Sequence, residues 1–255
     1  MQMYLYKYRS LAKDSIDFTL KIFSSQEAYF SQPDSFNDPF EFKPKVSFDS
    51  SKKNHNKFIN NSLERMTELN RYQRKRFTAE ISHNKSLNLR KIENAEKLSN
   101  MITEAVGKCG VYCLSSDPLN ILMWSHYADC HKGICIGFDG GDTNSFFGRA
   151  QQVIYSINYP VVNIIKELPK NSENIFITKS DLWAYEKEWR IIDHDHGSGI
   201  YCFEKNAIKK LIFGVKTNPK HIEHIKGVLD QNQIYPSLYK ARLHKNCYKI
   251  VLEEL

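Results

Sequence analysis

The stretch LWAYEKEWRIID, residues 182–193, places two glutamates one residue apart at the mouth of an apolar, β-prone run. As a strand, its period of two sends Tyr185, Lys187, Trp189 and Ile191 to one side and Glu186, Glu188, Arg190 and Ile192 to the other. Glu186 and Glu188 then share a face with α-carbons about 6.6 Å apart, where two ionised, dry carboxylates repel. Two uses fit such a pair: acid–base or cation-stabilising chemistry by both glutamates, or a structural ion pair between Glu188 and Arg190.

Outward from this run, apolar spacing and turn residues predict the remaining elements. Strands are expected at YLYKYR (4–9), near AYF (28–30), at CGVYCLS (109–115), KGICIGF (132–138), QVIYSINY (152–159) and KKLIFG (209–214). Helices are expected around 15–25, at LNILMWSHYA (119–128), near 161–181, and after the NPKH cap at 218–221, with a hairpin around Lys245 and Asn246 closing the chain. Helical spacing from Phe58 to Leu69 and from Ile92 to Val106 makes 55–107 two or three amphipathic helices. Neighbouring strands mixed with interposed helices favour an α+β fold, with a largely antiparallel or split sheet and flanking helices. The core domain is expected over 1–50 and 108–255, with a helical insertion at 51–107.

At 255 residues, 41% hydrophobic and 13% aromatic, the chain is long enough to bury a large core. It has no run of eighteen apolar residues, and MQMYLYKYRS lacks the apolar stretch of a signal peptide, so a soluble, cytoplasmic protein without membrane partners is expected. The six cysteines sit mostly in apolar, strand-like runs, which argues against a disulfide framework. Charge is uneven: from Lys52 to Lys97 there are twelve Lys or Arg against five acids, a surplus of seven that equals the formal net charge of the whole chain, +7. The NRYQRKRF core of this segment, with Arg71, Arg74, Lys75 and Arg76, suits contact with a phosphate backbone. It equally suits a solvated helix face.

Other polar residues interrupt apolar runs. Arg9 closes the first strand and offers a bidentate fork for phosphate, or a salt bridge. Ser115 and Ser116 end a later strand before Asp117 and Pro118, as a ligand contact or as the start of the next helix. Trp124, His126, Tyr127 and His131 crowd one helix and its exit. His126, Cys130, His131 and Cys135 fall within ten residues but without a CxxC or HxxxH pair, so no metal site is expected there. Asp38 and Glu41 of FNDPFEF are conceivable Mg²⁺ ligands of a nuclease, or capping groups.

The ordered blocks YKYRS, FSQPDSFNDPFEF, GVYCLSS, LMWSHYADCHKGICIGF, YEKEWRII and LIFG resemble those of a widespread bacterial family of unknown function. The resemblance covers both flanks and omits the basic insertion. The order of Arg9, then Ser115 and Ser116, then Glu186 and Glu188 is also similar to ADP-ribosyltransferases of the arginine-serine-glutamate class.

That second resemblance implies NAD as substrate, held by Arg9 at its phosphates and by Ser115 and Ser116 near the ribose, with Trp124, His126 or Tyr127 walling the nicotinamide. Glu188 would stabilise the oxocarbenium-like cation formed as the nicotinamide–ribose bond breaks, and Glu186 would orient or deprotonate the acceptor. The acceptor would be a protein or nucleic acid, and the role that of a toxin or phage-defence effector. Two alternatives stand beside it: a non-catalytic nucleotide or nucleic-acid binding module, and a metal-dependent nuclease. Convergence of Arg9, Ser115 and Glu188 on one cleft favours the transferase, and convergence of Asp38, Glu41 and Glu188 favours metal-assisted hydrolysis.

Overall fold

Six consecutive residue pairs join the first strand, β1 (Tyr4–Arg9), to β5 (Ile134–Asp139), from Tyr4 opposite Asp139 to Arg9 opposite Ile134. The computed structural model describes residues 3–47, 70–73, 75–76, 100, 102–141, 145–163 and 168–255. Around β1 and β5 grows an eight-stranded sheet ordered β14-β13-β12-β5-β1-β4-β10-β6. Its other members are β4 (Gly110–Ser115), β6 (Gln151–Gln152), β10 (Glu188–Asp193), β12 (Ile208–Phe213), β13 (Ser237–Leu243) and β14 (Ile250–Glu254). All neighbours are antiparallel except β12 and β13. That parallel pair follows from α4 (Pro219–Gln231), a crossover helix whose Asn218 cap accepts from the Lys220 amide. The fold is therefore α+β with a largely antiparallel sheet, and the C-terminal hairpin is β13–β14.

Among the described residues three pairs of strands lie outside this sheet. β2 (Glu27–Phe30) pairs with β11 (Gly199–Cys202), β3 (Lys45–Ser47) with β8 (Val161–Asn163), and β7 (Ile154–Ser156) with β9 (Thr178–Ser180). Two expectations are corrected here. The strand over 152–159 breaks at Val153, whose amide donates to the Glu188 carbonyl, so β6 stays in the main sheet while β7 leaves it. Among the described residues of 161–180, only α3 (Leu168–Ile177) is helical, flanked by β8 and β9.

Both faces of the sheet are covered, which is why β4 and β5 read as nearly unbroken apolar runs. One face buries Leu5, Leu114, Ile134, Ile136, Phe138 and Ile191 beneath α1 (Ile16–Ser24) and α4, with Phe23 and Ile225 fully enclosed. Each such side chain stabilises the fold by about 1.5–3 kcal/mol. The other buries Tyr6, Tyr8, Cys135 and Ile212 under Met123 and Trp124 of α2 (Ile121–Tyr127). Gly137 permits this packing, because a Cβ there would stand 2.9 Å from Cε1 of Tyr6.

Strands β1 and β4 are joined by only one pair, Tyr6 opposite Ser115. Beyond it they part, and Lys7 Nζ donates 2.8 Å to the Cys113 carbonyl in place of a ladder bond. This opening positions the candidate site.

Candidate functional site at the parting of β1 and β4

The stretch 182–193 is not one strand. Residues Asp181–Glu186 form a 3-10 turn, Lys187 takes a left-handed conformation (φ 45°, ψ 49°), and only Glu188–Asp193 is strand. Long-range bonds to the turn's carbonyls explain why β pairing loses. Asn120 Nδ2 donates to Tyr185 O (2.8 Å), Ser115 Oγ to Glu186 O (2.6 Å) and the Ser116 amide to Lys187 O (3.0 Å). Asn120 also caps α2, accepting from the Leu122 and Met123 amides, so the helix starts there rather than at the Ser-Asp-Pro segment. The left-handed Lys187 turns Glu186 and Glu188 toward a common partner, which is how two glutamates on unlike backbone still converge.

That partner is Lys179, on β9. Its ammonium lies 2.6 Å from Glu186 Oε2, 3.0 Å from Glu188 Oε2 and 3.1 Å from Glu41 Oε1. Arg190 donates to both oxygens of Glu188, at 2.8 and 3.0 Å, and also binds Glu41. Glu186 Oε1 accepts from the Tyr127 hydroxyl at 2.8 Å, and the Glu188 amide donates to the Tyr155 hydroxyl at 2.8 Å. Glu41, Glu186, Glu188, Lys179 and Arg190 are all buried. Three carboxylates therefore share two cations.

The electrostatics divide the two glutamates. Burial alone would raise the Glu188 carboxyl, but Arg190 and then Lys179 outweigh it and hold it down to about 2. Burial raises Glu186 above the usual carboxylate range against the pull of Lys179, with Glu188 adding repulsion. Burial would likewise lower Lys179, yet its carboxylates, Glu188 foremost, raise it above the ordinary lysine value. Glu188 is thus a fixed charge, whereas Glu186 is the carboxylate nearer to exchanging a proton.

A cavity of ≈ 130 Å³ adjoins this cluster, lined among others by Tyr6, Lys7, Ser115, Tyr127, Glu186 and Glu188. It shares Lys7, Phe36, Asn37, Cys113 and Tyr127 with a groove of ≈ 560 Å³ that also touches His126, Trp183 and Tyr185. The combined concavity reaches the size range of small-molecule sites and is rich in aromatic rings.

The sequence-derived candidates fall on different sides of this opening. Glu186, Glu188, Ser115 and Tyr127 meet at the cavity, and His126 lines the groove, exposed. Ser116 is exposed, its hydroxyl 3.3 Å from Lys187 O. Trp124 belongs to the core: it is fully buried, its Nε1 donates to Pro118 O at 2.8 Å, and Tyr8 meets it edge-on. Arg9 also departs from expectation. Arg9 lines neither the cavity nor the groove, although by alternation it leaves β1 on the same face as Lys7, opposite Tyr6, Ser115 and Glu188. Its Nε is buried without a hydrogen-bond partner among the described residues. Lys7 is the β1 cation that borders the cavity.

Asp38 and Glu41 do not form a metal pair with Glu188. Asp38 accepts from Trp183 Nε1 at 2.8 Å, and the space between Glu41 and Glu188 holds the charged ends of Arg190 and Lys179. Among the described residues no group of three His, Cys, Asp or Glu is disposed around a metal position. His131 instead meets Ser125 at 3.2 Å, and Cys135 is fully buried beside Tyr8. Most of the basic insertion expected over 51–107 lies outside the described residues, Arg74 included; Arg71, Lys75 and Arg76 are exposed helical positions. No described helix is long and apolar enough to cross a membrane.

Sequence reasoning missed Lys7, Glu41's ion pairs and above all Lys179. The signal for Lys179 was the β-branched run IFIT at 175–178, which ends the helix and leads into a short strand where Lys179 stands between Thr178 and Ser180.

A family model described as a protein of unknown function (DUF2971) matches residues 123–191, consistent with an uncharacterised family. The match includes Tyr127, Lys179, Glu186, Glu188 and Arg190 and leaves out Lys7, Glu41 and Ser115. No curated protein and no solved structure matches the chain.

Proposed function

We propose that the chain is an ADP-ribosyltransferase-like enzyme that cleaves NAD at the nicotinamide–ribose bond and passes ADP-ribose to a macromolecular acceptor. One observation carries the reading: Glu186 and Glu188 border the same cavity as Lys7, Ser115 and Tyr127 where β1 and β4 part. The permanent charge of Glu188 suits the oxocarbenium-like transition state, in a setting too dry for water to screen it. Glu186, with its raised carboxyl pKa, suits the proton of the incoming acceptor. Lys7 takes the phosphate role first assigned to Arg9, and Phe36, Tyr127 and Trp183 supply aromatic faces for the flat rings of a dinucleotide. The acceptor is a protein or a nucleic acid, and the surplus charge of residues 52–97 favours the latter.

A second reading, a nucleotide-binding module without chemistry, is favoured by the closed ion pairs of Glu188. Incubation with NAD labelled in the nicotinamide ring separates the two. Release of nicotinamide by the wild-type protein, lost in a folded Glu188→Gln variant, supports the transferase. Saturable NAD binding without release, in the presence of cell lysate, supports the binding module and overturns the enzyme.

A further inference from the structure

We propose that Lys179 is the positioning residue of the site, the shared counter-ion that aims the Glu186 carboxylate at the cavity and sets Glu186 and Glu188 to different tasks. The inference deepens the functional reading above and rests on it for its catalytic consequence, while its structural part stands on geometry alone.

The geometry is one of unequal shares. Glu188 has both cations, two bonds from Arg190 and one from Lys179, and Glu41 also touches both. Glu186 has Lys179 as its only cation among the described residues, bound through Oε2, so its second oxygen is free to meet the Tyr127 hydroxyl at the cavity. The ammonium is thus a pivot: it fixes one oxygen of Glu186 inward and leaves the other outward. A compact point charge suits this role, because it donates hydrogen bonds to Glu186 and Glu188 and pairs by charge with Glu41 at 3.1 Å. The Lys179 side chain is itself held, lying 5.0 Å from the Trp183 ring centroid, and Asp38 anchors that indole. The FNDPFEF segment therefore serves the site through both of its acids, Asp38 behind Lys179 and Glu41 in front of it.

The charged and titratable groups around Glu186 come from every packed element. They are Lys7 of β1, Cys113 of β4, Tyr127 of α2, Tyr155 of β7 and Glu41. Tyr185, Glu188 and Arg190 complete them on its own stretch. Among the described residues only Lys179 and Tyr127 bond its carboxylate.

The test reads Glu186 directly, by the pH titration of its ¹³C-labelled carboxyl in the full chain. Loss of the ammonium in Lys179→Met should raise the Glu186 midpoint by about 1–3 pH units, the range for an opposite charge at contact distance. Lys179→Arg should restore it to within about one unit. Should Lys179→Met fail to fold, Lys179→Met with Glu41→Gln removes one carboxylate along with the cation and is read the same way. An unchanged Glu186 midpoint in the folded neutral variant overturns the proposal and leaves Lys179 a merely structural charge. Where the wild-type protein releases nicotinamide, the kcat–pH profile should move with the carboxyl titration. Absence of turnover in the wild type defeats the functional reading, while the carboxyl titration still decides the role of Lys179.

Discussion

Arg190 holds Glu188 from two positions along the same strand, donating from Nε at 2.8 Å and from Nη2 at 3.0 Å, with the guanidinium fully buried. Such a pair is worth little against an apolar replacement, but removal of one partner strands the other. Glu188→Gln should therefore destabilise the fold by on the order of 3 kcal/mol, since Arg190 keeps one carboxylate, Glu41, beside the Phe176 carbonyl. Glu186→Gln should cost about 1 kcal/mol, because that carboxylate is already the less stable charge. Urea unfolding of the two variants checks this, and equal midpoints would refute the division of labour.

The pH dependence of stability follows from the same pair. A carboxyl held below its unfolded value of 4.5 contributes stability that is complete above that value and is lost as pH falls toward about 2. For Glu188 the loss is on the order of 3 kcal/mol. Glu186, raised in the folded state, works the opposite way and gains stability as acid protonates it. Unfolding measured at pH 3 and pH 6 should show a drop for the wild-type protein, a larger drop in Glu186→Gln and a smaller one in Glu188→Gln.

Lys187 stands at φ 45°, between the two glutamates, with an exposed ammonium 2.9 Å from Asp117. Its left-handed backbone costs about 1 kcal/mol, which glycine would relieve, against a surface pair worth about 0–1 kcal/mol and added freedom in the unfolded chain. Lys187→Gly should leave stability within about 0.5 kcal/mol of wild type, whereas β-branched Lys187→Val should lose about 2 kcal/mol. Melting temperatures settle the order.

The basic segment makes a separable prediction. Reversal of Arg71, Arg74, Lys75 and Arg76 to glutamate should abolish salt-sensitive nucleic-acid binding and leave nicotinamide release unchanged. Retention of nucleic acid by this variant in a filter-binding assay, independent of salt, would remove the partner role from the segment.

The central strands were legible because burial on both faces makes them continuous apolar runs between turn residues, as in VYCL and ICIGF. The 3-10 turn before Glu188 was not, since its conformation is decided by Ser115, Ser116 and Asn120, some 65–71 residues away. Arg9 and Lys7 share the parity of one strand, and only the parting of β1 from β4 beyond Tyr6 and Ser115 puts Lys7, not Arg9, at the cavity. Lys179 hid behind a helical pattern that ends at Ile177, and its partner Glu41 is far away in sequence. Local periodicity reports which residues are buried; it does not report which buried charges meet.

The single residue pair between β1 and β4 makes the main sheet a seamed object. On one side lie β1, β5, β12, β13 and β14, and on the other β4, β10 and β6, with Lys7 Nζ as one extra stitch. A ligand lodged at that seam touches Lys7 on one bank and Glu186 with Ser115 on the other, so its affinity is also a measure of how tightly the sheet is sewn.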